Sequence, residues 1–256
     1  MNNTLLNTLK AAREGLAERL DSMTLPAEIP HGDMPGDKVL ITESHVAKAK
    51  TILPVLVDKM IAALENKPLQ RCVLSVCGGS GVGKSETASL LGWYLGQLGA
   101  KSYILSGDNY PHRIPEYNDA ERLRVFRDFG LKGLVACGLH TAEISAKLHE
   151  LMEADKDADP ALCGEYGWLS VYQAAGRRGL KGYLGTPGEI DFDRVNGIIA
   201  QFQAGAEHIA LKRMGRRPSE LWTETVDFSA TSVLIIEWTH SNNDNLAGVD
   251  LPVLLD

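Results

Sequence analysis

The chain has 256 residues, of which 44% are hydrophobic and 23% are charged, and its formal net charge is −7. These values are typical of a globular protein, and the length suits one α/β domain with additions. The negative charge argues against a surface for duplex nucleic acid, so no nucleic-acid partner is expected. No apolar run approaches the roughly 20 residues that span a bilayer, and the N-terminus does not resemble a secretory signal. We therefore expect a cytoplasmic protein that does not associate with membranes.

Residues 1–68 are predicted to form a helical extension that precedes the main domain. Apolar residues recur at helical spacing over residues 3–22 and again over residues 44–65, where Pro54 is expected to kink the second helix. The segment between them, residues 23–42, is rich in proline, glycine and aspartate, and we interpret it as a connector.

A phosphate-binding loop follows the first predicted strand. Every fixed position of the pattern G-x-x-x-x-G-K-[ST] is matched by the sequence Gly78-Gly79-Ser80-Gly81-Val82-Gly83-Lys84-Ser85. Glycines let successive backbone N–H groups point at phosphates, and the next helix adds the partial positive charge of its N-terminus. Lys84 would reach the β- and γ-phosphates and the Ser85 hydroxyl would hold Mg²⁺. We therefore expect ATP and Mg²⁺ as ligands, with Glu86 also among the nucleotide-binding residues.

Residues 69–256 are predicted to form a P-loop NTPase-type domain. Strands alternate with helices there, which predicts a doubly wound, mostly parallel α/β sheet with helices on both faces. A helical insertion is expected at about residues 131–183. Ligands bind beyond the carboxyl ends of the strands in such sheets, so the phosphate loop, Asp108 and Glu237 are expected to converge. The strands predicted after the loop are residues 101–108, 208–214, 232–238 and 249–255.

A phosphate loop alone does not separate kinases from GTPases and motor ATPases. No base-reading Asn-Lys-x-Asp segment follows a strand and no Leu-Ser-Gly-Gly-Gln signature is present, which favours a small-molecule phosphotransferase. Transfer to an alcohol needs a group that orients the hydroxyl and accepts its proton. Asp108, at the end of a predicted strand, suits that task. The alternative is an aspartate that only forms the turn.

Four further residues are candidate contacts to the acceptor: Tyr110, His112, Arg113 and Arg213. The last belongs to a basic cluster, residues 212–217, which is expected to follow a strand on the side where substrates bind. Paired guanidinium groups bind phosphate or carboxylate bidentately, so this cluster would suit an acidic acceptor. A solvated basic turn, and plain surface positions for His112 and Arg113, are the alternatives.

The strand, the phosphate loop and the Asp-x-Tyr after the second strand together resemble the phosphoribulokinase/uridine kinase family of P-loop kinases. The resemblance implies that Asp108 is the catalytic base, with Tyr110 at the aromatic position. The strand SVLIIEW is similar to the family's strand that ends in an acidic residue, which implies that Glu237 assists Mg²⁺ or its water. The family's Asp-His-Pro is replaced by Gly-Thr-Pro at residues 185–187, so its substrate-contacting histidine has no counterpart.

The resemblance also implies an arginine-bearing lid after the last strand. The sequence ends at Asp256, directly after that strand, so either the chain is a truncated product or another group substitutes for the lid, and the basic cluster at residues 212–217 is the obvious candidate. Lys84 would neutralise charge on the transferred phosphoryl group.

The sequence therefore predicts an ATP-dependent kinase that phosphorylates an alcohol group of a small molecule: a nucleoside, a sugar phosphate or a hydroxy acid. Two alternatives stay open: a nucleotide-binding regulatory or assembly protein without acceptor chemistry, and an adenylylsulfate kinase-like enzyme. The pattern does not choose the acceptor, does not separate ATP from GTP, and leaves a homodimer as one option for the oligomeric state.

Overall fold

The computed structural model describes residues 4–256, which divide into two compact units. The first unit comprises the described residues up to Tyr110 together with Asp191–Asp256, and the second comprises Pro111–Ile190. The second unit is therefore wider than the insertion predicted at residues 131–183. Residues on both sides of position 68 belong to the first unit, and the predicted domain boundary at that position stays a prediction. Among the described helices, none has the length and apolar character of a membrane span.

The first unit begins with helices that pack against the sheet. Their bounds are α1 Thr4–Arg13, α2 Leu16–Ser22 and α3 Glu43–Leu64. The single helix predicted over residues 3–22, whose first residue lies outside the described chain, is two helices. Gly15 adopts a left-handed φ of 65°, a conformation that glycine takes easily and that interrupts a helix. The third helix begins after Thr42 and runs through Pro54.

A four-stranded parallel sheet forms the centre of this unit, which confirms the predicted α/β class. The strand bounds are β1 Cys72–Gly78, β2 Ser102–Ser106, β3 His208–Met214, β4 Leu221–Asp227, β5 Val233–Glu237 and β6 Leu251–Leu255. The order in the sheet is β2-β5-β1-β6, and every pair is parallel. Both central strands, β1 and β5, are buried along almost their whole length, as parallel strands covered on two faces are.

Helices cover both faces of this sheet. The first three helices and α4, Lys84–Gln97, enclose one face in a core that includes Cys72, Leu74 and Val76 of β1. The alternate β1 side chains point to the other face, where α8, Phe192–Gln203, contacts β1. Helices α5 to α7, which lie between α4 and α8 in the sequence, belong to the second unit.

The strand at His208–Met214 has the predicted bounds but not the predicted partner. It lies outside the parallel sheet and pairs antiparallel with β4 in a separate two-stranded ribbon, a β-hairpin closed by the turn Pro218–Glu220. No strand was predicted at β4. Most of its side chains are exposed on both faces, so it carries no buried apolar pattern, and its pairing with β3 defines it.

The second unit is helical. It contains α5 Pro115–Ala136, α6 Ala142–Glu153 and α7 Gly167–Tyr183. Its two ends meet in a bridge between Pro111 and Ile190, beside a hydrogen bond of 2.9 Å from the His112 N–H to the Glu189 carbonyl. Three arginines of α5 form ion pairs within this unit. Arg122 pairs with Asp119 and Glu189, Arg124 pairs with Glu121, and Arg127 pairs with Asp155 and Asp157.

Candidate functional site

The predicted phosphate-binding loop, residues 78–85 and called the phosphate loop below, connects the end of β1 to the start of α4. Gly81 and Gly83 have φ values of 78° and 89°, so the backbone turns through left-handed positions directly before the helix begins at Lys84. The Lys84 ammonium group lies back over the loop and donates a hydrogen bond of 2.8 Å to the Gly79 carbonyl. This is the arrangement in which a lysine and a helix N-terminus can act on the same anion.

Helix α3 packs directly against this loop, a contact that no sequence pattern predicts. Lys48 donates a hydrogen bond of 3.0 Å to the Val82 carbonyl. A Cβ atom at Gly83 would lie 2.9 Å from the His45 ring, so only glycine fits there without displacing the histidine. The first two turns of α3 therefore contact the phosphate loop at Val82 and Gly83.

Asp108 and Glu237 lie at the carboxyl ends of neighbouring strands. Asp108 is exposed on the 3₁₀ turn Gly107–Asn109, which follows β2, while Glu237 is the last residue of β5 and is buried. Ser106 of β2 pairs in register with Glu237, so the two strand ends are level. A side chain on Gly107 would overlap the buried Trp238 ring, which explains the glycine before Asp108.

The protonation of Glu237 links these carboxylates to the phosphate loop. Burial raises the pKa of Glu237 to about 7, and the negative charge of Asp108 contributes in the same direction. The Lys84 charge and a hydrogen bond with the Ser85 side chain act against the rise. The structure therefore brings together Lys84, Ser85, Asp108 and Glu237.

Oxygen atoms of this group would suit Mg²⁺, which prefers hydroxyl, carboxylate and phosphate oxygens. The Ser85 hydroxyl and the Glu237 carboxylate are hydrogen-bonded to each other, and Asp108 lies close enough to affect the pKa of Glu237. Within residues 4–256 no cluster of three or more His, Cys, Asp or Glu side chains forms a metal site. Ser85 and Glu237 offer two oxygen donors, so an ion held there would take the rest of its coordination from water or nucleotide phosphates.

Asp33, from the predicted connector, holds the turn that carries Asp108. Its carboxylate accepts hydrogen bonds from the Ser106 N–H at 2.8 Å, the Tyr103 hydroxyl at 2.8 Å and the Asn109 side chain at 3.1 Å. Arg213 completes the set with a contact of 2.7 Å to the same carboxylate. Burial raises the pKa of Asp33, whereas the positive charge of Arg213 opposes that rise. Nothing in the sequence pattern of residues 23–42 marks this aspartate.

Two predicted acceptor contacts are buried within the first unit. Arg213 is 5% exposed and its guanidinium is paired with Asp33 and, at 2.9 Å, with Glu224. Lys212 is also buried, so the expected basic turn after a strand is wrong for these two residues: both lie inside β3. Tyr110 is fully buried as well, and burial raises the pKa of its hydroxyl.

The other two predicted acceptor contacts belong to the second unit. The His112 ring lies 3.0 Å from the Pro187 carbonyl, and Arg113 donates to the Tyr183 hydroxyl at 3.1 Å. Arg113 therefore attaches the start of this unit to the last residue of α7, and His112 attaches it to the turn that follows α7. Their role as acceptor contacts stays a prediction.

Comparison with known proteins identifies a relative of this chain. No family model matches the chain. It is 38% identical over 201 residues to the bifunctional alpha-galactosidase/sucrose kinase AgaSK of Mediterraneibacter gnavus. The match covers 78% of this chain and 17% of the relative, so the chain spans about a sixth of that protein's length.

Proposed function

We propose that this chain is a kinase that transfers the γ-phosphoryl group of ATP to a hydroxyl group of a small molecule. The observation that carries the proposal is the convergence of Lys84, Ser85, Asp108 and Glu237. The similarity to a protein named as a sucrose kinase supports a kinase and favours a sugar as the acceptor. The narrower likeness to the phosphoribulokinase/uridine kinase family rests on the Asp-x-Tyr segment and the strand that ends at Glu237.

In this proposal the phosphate loop holds the triphosphate. The N–H groups of residues 79–85 and the α4 N-terminus face the phosphate oxygens, and Lys84 leaves the Gly79 carbonyl to pair with them. Lys48 would keep the Val82 carbonyl turned outward, away from the anion.

Asp108 then serves as the base for the acceptor. The acceptor oxygen forms a bond to the γ-phosphorus while the bond from that phosphorus to the β–γ bridging oxygen breaks. The hydroxyl proton passes to the Asp108 carboxylate, and ADP leaves. An exposed carboxylate at a strand end, held by the Asp33 network, is suited to this step.

Ser85 and Glu237 are the residues that would hold Mg²⁺. When bound, the ion would stabilise the charge that develops on the phosphate oxygens. Burial raises the pKa of Glu237 to about 7, so the side chain is partly protonated near neutral pH, and a cation held beside it would favour the ionised carboxylate.

A panel of acceptors tests the proposal. ADP release is measured with ATP and Mg²⁺ for sucrose, glucose, fructose, glucose 6-phosphate, fructose 6-phosphate, uridine and glycerate, with a no-acceptor control. ADP release that depends on an acceptor supports the kinase. Binding of an ATP analogue without turnover of any acceptor, and without stabilisation by any of them in a thermal-shift assay, would favour the regulatory protein.

A further inference from the structure

A cavity of about 580 Å³ lies between the connector and the β-hairpin of the first unit. Its lining comprises Met34, Pro35, Gly36 and Asp37 of the connector and Gly215, Arg216, Glu220 and Trp222 of the hairpin. A cavity of this size is in the range of small-molecule sites. Of these residues, the sequence singles out only Gly215 and Arg216, as part of the basic cluster at residues 212–217.

The cavity adjoins the turn that carries Asp108. The Met214 N–H, one residue before the lining residue Gly215, donates a hydrogen bond of 3.0 Å to the side chain of Asn109, one residue after Asp108. On the connector side, Asp37 is near enough to contribute to the raised pKa of Glu237. A ligand in the cavity would therefore be beside the two carboxylates.

Trp222 gives the cavity an apolar surface. Its side chain is 46% exposed, on a strand whose other residues are mostly polar. A large exposed aromatic residue is informative, because burial of its ring would be favourable. A flat indole face matches the C–H face of a sugar ring, while Asp37 and Arg216 offer an acceptor and donors for hydroxyl groups.

The charges of the cavity disfavour a phosphorylated ligand. Arg216 is the one cation among the lining residues, and Asp37 and Glu220 are both acidic. The Glu220 carboxylate accepts hydrogen bonds of 2.8 and 3.2 Å from the N–H groups of Arg216 and Arg217. Arg213, which belongs to the same basic cluster but does not line the cavity, is buried and paired with Asp33 and Glu224. A phosphate ester needs uncompensated cations, and this lining does not supply a pair of them.

We propose that this cavity is the acceptor site and that its ligand is a neutral sugar, stacked on Trp222 and hydrogen-bonded by Asp37 and Arg216. The inference rests on the proposed kinase function and narrows its acceptor to an uncharged carbohydrate. It differs from the expectation, still a prediction, that the basic cluster at residues 212–217 selects an acidic acceptor.

Trp222→Ala, Trp222→Phe and Leu221→Ala test the site. Leu221 is the matched control, since it is 49% exposed and precedes Trp222 on β4 but does not line the cavity. KM and kcat are measured with the best neutral sugar of the acceptor panel, and KM for ATP is measured in parallel. We expect Trp222→Ala to raise the sugar KM about tenfold or more and to leave the KM for ATP unchanged. Trp222→Phe retains an aromatic ring, and Leu221→Ala removes no residue that lines the cavity. The sugar KM of both variants should therefore stay within about threefold of that of the unmodified chain.

The outcomes separate this inference from the kinase proposal. If a neutral sugar is phosphorylated but Trp222→Ala behaves like Leu221→Ala, the acceptor binds elsewhere and the kinase stands. If a sugar phosphate or glycerate has the higher kcat/KM, the uncharged class is wrong and the kinase again stands. If no acceptor promotes ADP release, the kinase proposal fails and this inference fails with it.

Discussion

The phosphate loop and the Asp108 turn lie side by side but are held in different ways. The loop takes its shape from residues next to each other in sequence, with glycines at left-handed positions and Lys84 folded over its own backbone. The Asp108 turn depends on Asp33 and Arg213, which lie far from it in sequence. A motif of the first kind can be recognised in a sequence, whereas a support of the second kind becomes visible only in the fold.

The largest loss of stability is expected when the long-range support is broken. Asp33→Asn would leave the buried Arg213 guanidinium without its main counter-charge, so we expect a loss of about 3 kcal/mol in the free energy of unfolding. The kcat should fall more than the KM for ATP changes, because the Asp108 turn loses its support while the phosphate loop does not.

Urea unfolding and steady-state kinetics measure both effects of Asp33→Asn. Asp21→Asn is the matched control, since the Asp21 side chain is 80% exposed and its pair with Lys50 is worth little. Equal stability and equal kinetics for the two variants would show that Asp33 does not hold the turn.

The next effect is a change of stability with pH that comes from Glu237, which lies near both the phosphate loop and Asp108. Its pKa of about 7 in the folded protein lies above the usual value of 4.5, so the folded state binds the extra proton between these pH values. The stability that this proton contributes is therefore lost as pH rises from about 5 to 8. In EDTA, the unmodified chain should lose about 2 kcal/mol more over that interval than Glu237→Gln, measured by urea unfolding. Parallel pH curves for the two proteins would contradict the raised pKa.

A smaller effect is expected from the local geometry of the loop. Gly83→Ala would place a side chain at a φ of 89° and 2.9 Å from the His45 ring, at a backbone cost of about 1–2 kcal/mol. The affinity for an ATP analogue, measured by calorimetry, should fall about tenfold. Gly96→Ala in α4 is the control, because a Cβ atom there meets nothing within 4 Å. An unchanged affinity in Gly83→Ala would mean that the loop tolerates a different shape.

The smallest effect tests the contact from α3. Lys48→Met removes one hydrogen bond to the Val82 carbonyl, worth about 1 kcal/mol, so the affinity for the ATP analogue should fall a few-fold. Lys59→Met, at an exposed position of the same helix, should leave that affinity unchanged. If both variants bind the analogue equally well, α3 packs beside the loop without supporting it.

The sequence predicted what local patterns determine. The turn at residues 78–85 between a strand and a helix, the four strands of the parallel sheet and the nearness of Asp108 to Glu237 all follow from short motifs and from the geometry of parallel sheets. Phosphate binding by this turn stays a prediction. Asp33 could not be found, because a lone aspartate in a proline- and glycine-rich segment looks the same whether it is solvated or buried. The pairing of β3 with β4 was missed for a related reason, since β4 is mostly exposed and only its partner defines it.

The burial of Arg213 also lay beyond the sequence. A run of basic residues after an apolar strand is typical of a surface turn, and only the packed counter-charges of Asp33 and Glu224 make burial of a guanidinium tolerable. The acceptor chemistry depends on this detail, because a paired arginine is not available to bind a phosphate group.

Turnover by Asp108→Asn tests whether Asp108 is the base that activates the acceptor hydroxyl. With the acceptor that supports the fastest ADP release, the variant should lose at least about a thousandfold in kcat while an ATP analogue binds as tightly as to the unmodified chain. Asp21→Asn, measured in the same assay, should keep full activity. Undiminished acceptor-dependent ADP release in Asp108→Asn would contradict the assignment of Asp108 as the base of a phosphoryl transfer.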